Sequence, residues 1–232
     1  MFTNDDYVIA KSLALNIDLP DSYGVDDDTN LDDGLIRDEC HRAGLHEFDI
    51  DYGVSKVVVI PEEYNWVLKT PLMGKEYYSY DEDGEEDYVS FEFYCNADAP
   101  DGSDYCWDEL LRIQEAERAG FGVLFPTTEF LCKNDERRYY LQEKVHPASS
   151  NFKTHPSKES VTRAREMDAQ FKYCSSEWRA AVIEYYGYDF WINFVEWDGQ
   201  QCSRILTDMH RGNYGYRNDG SPVILDASGF DD

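Results

Sequence analysis

Residues 207–230 read TDMHRGNYGYRNDGSPVILDASGF, and the polar groups in this stretch fall at set intervals: Asp208, then Asn213 five residues on, then Asp226 thirteen residues after that. Two short runs of strand formers, NYGY and PVILD, flank Arg217-Asn218-Asp219-Gly220-Ser221, whose Asn, Asp and Gly are turn chemistry. The stretch predicts a β-hairpin with Asn213 at the start of one strand and Asp226 at the end of the other. Such a hairpin fixes the separation of an amide and a carboxylate that lie far apart in sequence.

This wording resembles the catalytic and metal-binding loops of protein kinases. In its Asp-x-His-x-Gly-Asn order it is closer to those of aminoglycoside phosphotransferases and related small kinases. The resemblance implies a minimal two-lobed protein-kinase-like α+β fold, with an antiparallel sheet in the N-lobe and a reduced helical C-lobe. It implies ATP and Mg as cofactors and phosphoryl transfer as the activity. Asp208 would then be the base or hydroxyl-orienting group, and Asn213 and Asp226 the metal ligands. Phosphoryl transfer needs those types, a carboxylate near the attacking hydroxyl and hard oxygen ligands for the Mg that screens the phosphates.

The same resemblance carries expectations upstream. Lys69, in NWVLKTP, stands where the phosphate-holding lysine of the third strand belongs. Its glutamate partner is expected from the next helix, as Glu109, with Glu115 and Glu117 as open alternatives. The backbone at Gln142 and Glu143 would meet the adenine edge with Leu141 behind it, and Gly53 in DYGVSK would stand in the phosphate-covering loop. The sequence departs from the family in offering that single glycine, in having Leu206 where a His usually stands, and in placing Gly229 one position late. Nothing resembling an activation segment or the helices after it follows Phe230. The likeness is therefore to minimal kinase-like proteins of the kind seen in bacteriophage genomes. His210 and Arg211 can steady the carboxylate or a phosphate, or simply pack the loop.

Working outward, residues 1–45 read as an N-terminal helical cap, with helices over 5–15 and 33–44 around the acidic turn at residues 26–33. Residues 46–146 read as an N-lobe, with strands at 47–53, 54–61 and 65–71 and an acidic insertion, 75–105, holding a hairpin. A helix over 106–120 follows, its apolar residues Leu110, Leu111, Ile113 and Ala116 before a stop at Gly120. Strands at 123–133 and 136–145 close the lobe. Residues 147–232 read as the truncated C-lobe, entered by a Ser-, His- and Pro-rich linker over 146–160, with helical patterns over 159–186 and 188–199.

Composition bounds the rest. With 42% hydrophobic residues and 18 Tyr, 12 Phe and 5 Trp in 232, the chain can bury a core despite a net charge of −27. That field repels nucleic acid and anionic membranes and suits a basic protein partner. A second functional class follows: a silent, acidic kinase-like protein that binds and inhibits a basic host protein, such as one that binds nucleic acid. The aromatic stretches EYYSY and EYYGYDFWINFVEW suit core packing or partner contact. Six scattered cysteines without a CxxC pair suggest buried free thiols. No apolar run reaches the length of a membrane span and the acidic N-terminus does not read as a signal peptide, so a cytoplasmic location is expected, in the host cytoplasm if the chain is phage-encoded.

Overall fold

The computed structural model describes residues 2–17, 22–23, 34–52, 56–71, 73–80, 86–94, 104–134, 137–148, 150, 152, 154–167, 174–202 and 204–227; at 22–23, 35, 52, 73–80, 86–94 and 208 only the backbone is described. The acidic turn at 26–33, Gly53, residues 81–85 of the acidic run, and 228–232 with Gly229 lie outside the described residues. The architecture is mixed α+β and divides into two compact units, 1–107 with 128–143 and 108–127 with 144–232.

The first unit begins with helix α1 (Asn4–Asn16), strand β1 (Ser22–Tyr23) and helix α2 (Gly34–Arg42). Strands β2 (Phe48–Tyr52), β3 (Lys56–Pro61), β4 (Trp66–Pro71), β5 (Met73–Tyr80) and β6 (Glu86–Tyr94) follow. After helix α3 (Tyr105–Arg118), most of which belongs to the second unit, come β7 (Thr128–Asn134) and β8 (Arg137–Glu143). Five strands form an antiparallel sheet in the order β2-β3-β4-β8-β7, and β1, β6 and β5 form a separate sheet. The middle strand β4, WVLKTP, is buried at every position, as a strand covered on both faces must be.

Pleating divides the sheet into two unlike faces. Val57, Val59, Trp66, Leu68, Tyr139 and Leu141 form an apolar face that packs with Ala10, Leu13, Ala14 and Ile17 of the α1 region and with Ile36 and Cys40 of α2. Helix α1 starts on a reciprocal cap in which the Thr3 side chain accepts the Asp6 N–H and the Asp6 carboxylate accepts the Thr3 N–H. The Tyr7 hydroxyl donates to the Glu129 carboxylate, tying the helix to β7.

The second unit contains strand β9 (His146–Pro147) and helices α4 (Lys158–Arg165), α5 (Ser176–Tyr186) and α6 (Tyr188–Asp198). Strands β10 (Tyr214–Tyr216) and β11 (Pro222–Ile224) follow, giving the sheet order β11-β10-β9. Trp178, Trp191, Phe194, Met209, Tyr214 and Ile224 centre its core, together with Ile113 and Ala116 of α3. Among the described residues no helix is long and apolar enough to cross a membrane.

Three local expectations are corrected. The helical pattern over 159–186 is two helices, because Ser175 leaves the helical conformation and its side chain caps the Trp178 N–H to start α5. Residues 122–124 form a 3-10 turn rather than strand, and Pro126, which cannot donate to a ladder, precedes the strand start at Thr128. The linker is partly structured: β9 pairs with β10, and the His146 ring stacks on Phe152 at 4.7 Å.

That pairing depends on Gly215. A Cβ built there would lie 2.2 Å from the His146 carbonyl oxygen, which is backbone and cannot swing away. Gly215→Ala is expected to destabilise by about 2 kcal/mol through forced strand separation, lowering the melting temperature by roughly 4 to 8 °C for a chain of this size. An unchanged melt would show that β9 yields freely.

Candidate functional site

Lys69, Gln142 and Glu143 belong to the first unit; Glu109, Asp208, Asn213 and Asp226 belong to the second. In the first unit Lys69 pairs with Tyr140 and Val67 with Gln142 across β4 and β8. Directly opposed residues share a face, so Lys69 and Gln142 lie on the same side of adjacent strands, opposite to Leu68 and Trp66. Lys69 is only 5% exposed, and a buried ammonium is retained only with polar company. The Gln142 amide donates to the Thr128 hydroxyl at 2.9 Å, and Glu143 is half-buried at the strand end.

The same face carries a polar network. The Asp104 carboxylate accepts from the Tyr140 hydroxyl at 2.6 Å and from the Arg138 guanidinium at 3.2 Å, and it caps α3 through the Trp107 N–H. Burial, then the adjacent carboxylate, drives the Tyr140 hydroxyl far above its ordinary range. Tyr140 is therefore a permanent donor that fixes Asp104.

Helix α3 buries Cys106, Glu109, Leu110, Ile113 and Ala116, a helical stripe that is apolar apart from the glutamate. Glu109 is 1% exposed, whereas Glu115 and Glu117 lie on the exposed side. Burial thus separates Glu109 from the other two.

In the second unit the hairpin β10–β11 closes the thirteen-residue gap between Asn213 and Asp226. The Asn213 carbonyl accepts the Leu225 N–H at 2.7 Å and the Asp226 N–H at 3.3 Å, so the two residues stand side by side at the open end. The far end is held too. Arg217 donates to the carbonyls of Val123 and Phe125, Tyr185 to Asp219, and Tyr186 to the carbonyl of Pro222. The Ser221 N–H on Asp219 lowers that carboxyl's pKa, and the Tyr185 hydroxyl adds to the effect. Asn213 is buried and Asp226 half-buried.

Asp208 ends a 3-10 turn, Ile205–Asp208. The next turn is closed by the Asn213 N–H on the His210 carbonyl at 2.9 Å. His210 is exposed and its Nδ1 accepts the Gly212 N–H at 3.1 Å, which is loop packing, and Arg211 is also exposed. Leu206, in the place of the family's usual histidine, is buried.

A residue that sequence reasoning passed over stands behind this loop. Asp198, the last residue of α6, is 0% exposed and accepts the N–H groups of Ile205 and Leu206. The available signal was a carboxylate closing the aromatic-rich run WINFVEWD, two residues after Glu196. Burial raises its pKa, against the lowering effect of those two N–H bonds and of Arg204 and Arg112.

Asn213 and Asp226 offer an amide oxygen and a carboxylate, the hard donors that Mg accepts alongside phosphate oxygens and water. Among the described residues no group of three or more His, Cys, Asp or Glu side chains can hold a metal ion. Comparison of the chain with family models, with curated proteins and with solved structures finds no match.

Proposed function

We propose that the protein is an ATP- and Mg-dependent phosphotransferase of kinase-like architecture. The observation that carries this reading is the convergence of Asn213 and Asp226 at the open end of a hairpin pinned at its other end. Two hard oxygen donors held by backbone are suited to a Mg-nucleotide, whose metal would screen phosphate charge. Asp208, five residues before Asn213, is assigned to the acceptor hydroxyl.

The first unit supports the reading independently. Three consecutive antiparallel strands, then a helix, then two more strands is the element order that the resemblance implies, with β5 and β6 as the insertion. Lys69 on β4 and Gln142 on β8 share one face, as a phosphate-holding lysine and an adenine-edge strand should. On α3, most of which belongs to the second unit, Glu109 is the one of the three candidate glutamates that is buried.

A second reading, a silent protein that binds a basic partner, is favoured by the exposed aromatics Trp107 and Phe130. Their rings meet edge to face at 6.5 Å in a chain of charge −27, the kind of surface anchor that basic partners use.

Thermal melts with ATP and Mg separate the two. A ligand that binds only the folded state at a hundredfold its Kd stabilises by about 2.7 kcal/mol, or roughly 5 to 11 °C here. The shift is expected to need both ATP and Mg, to vanish in Asp226→Ala, and to shrink in Lys69→Met. The melts of the unliganded variants show that they fold. No shift in the wild type would discard the phosphotransferase and favour the binding protein.

A further inference from the structure

Asp198 spends a buried carboxylate on two backbone N–H groups, those of Ile205 at 2.7 Å and Leu206 at 3.3 Å. These residues open the 3-10 turn whose last member is Asp208. A short 3-10 turn has poor internal hydrogen-bond geometry and little stability of its own, so an external acceptor for its first N–H groups largely decides whether it forms. The carboxylate reaches them from seven and eight residues upstream, across Gly199, Gln200 and Gln201, where the chain turns off α6. Gln201 helps to fix that turn, its N–H on the Asp198 carbonyl and its side-chain amide on the Trp197 carbonyl.

The helix end is itself rigid. Phe194 and Trp191 of α6 are fully buried, and Trp197 stacks on Phe194 with ring centroids 5.8 Å apart. Asp198 therefore transmits the position of a packed helix to a loop through two charge-assisted bonds, the strong class of hydrogen bond. On the other side of Asp208, Met209 is 0% exposed and gives the loop a second fixed point. Asn213 and Asp226 are held by different bonds, those of the hairpin.

We infer that Asp198 is a positioning residue that fixes the backbone of the Asp208 turn for phosphoryl transfer, separately from the hairpin that holds the metal ligands. The catalytic part of this inference rests on the phosphotransferase reading; the anchoring part does not. Loss of the anchor displaces the acceptor-side carboxylate and leaves nucleotide binding intact.

Asp198→Asn tests it, because the amide keeps one acceptor and turns a donor towards the second N–H. Hydrogen exchange at the Ile205 and Leu206 amides is expected to quicken by about tenfold or more while α5 and α6 keep their protection. Turnover of ATP·Mg is expected to fall by on the order of 10²-fold, as for a misplaced catalytic group, with the nucleotide KM and the ATP·Mg thermal shift held. Unchanged exchange at those amides, or protection lost across the whole second unit, overturns the anchor. A KM that rises in step with the fall in kcat overturns the separation from the metal site. Wild-type protein without turnover overturns the catalytic assignment, and the exchange comparison then decides the anchor alone.

Discussion

Asp208→Asn is expected to slow phosphoryl transfer by on the order of 10³-fold while ATP·Mg still binds as in the wild type. A carboxylate that orients an attacking hydroxyl acts where the transition state differs from the ground state, so its loss lowers kcat and kcat/KM together. Under the phosphotransferase reading the nucleotide would depend instead on Asn213 and Asp226, whose backbones the hairpin pairs without a bond to Asp208. Because the acceptor is not fixed by the chain, hydrolysis of ATP and transfer to simple hydroxyl acceptors provide the rate. Equal turnover in wild type and Asp208→Asn would remove the residue from the chemistry, and loss of the ATP·Mg thermal shift would make it a binding group.

This contrast separates a kinase-like enzyme from a scaffold that has kept the loops. A scaffold that binds ATP would show the thermal shift and no dependence of any rate on Asp208. The overall charge of −27 opposes an anionic nucleotide, but beyond about 10 Å that field is screened at ordinary ionic strength. Under the phosphotransferase reading, the local donors Asn213 and Asp226 would then decide binding.

What could be read from the sequence was local. The hairpin is encoded by NYGY, the Asn-Asp-Gly turn and PVILD, each of which acts over a few residues. The strands at Lys56–Pro61 and Trp66–Pro71 follow from β-branched and aromatic runs, and α3 follows from its stripe of apolar positions. The unread features depend on partners far along the chain. Asp198 is one of 48 acidic residues until the fold buries it. The need for Gly215 appears only when β9 passes over it. The pairing of β8 with β4 spans an insertion, the hairpin β5–β6, and no short-range pattern specifies it.

Arg179 is another such residue, and Arg179→Met is expected to destabilise the protein by about 3 kcal/mol, lowering its melting temperature by roughly 6 to 12 °C. In sequence it interrupts the apolar run Trp178-Arg179-Ala180-Ala181-Val182-Ile183, where a surface arginine would face solvent once per turn. In the fold it is 1% exposed and donates to the Cys174 carbonyl before α5 and, at 3.1 Å, to the Ala164 carbonyl in the last turn of α4. Carbonyls at a helix C-terminus lack intrahelical donors, and a cation there also complements the helix dipole. Methionine fills much of the same volume, so the loss comes from the guanidinium's bonds to the Cys174 and Ala164 carbonyls, the second of which still accepts the Met167 N–H, rather than from a cavity. Arg179→Lys keeps the charge but has no planar fork to reach both carbonyls, and is expected to recover only part of the loss. A melt of Arg179→Met indistinguishable from wild type would mean that these carbonyls find other donors and that Arg179 does not join α4 to α5.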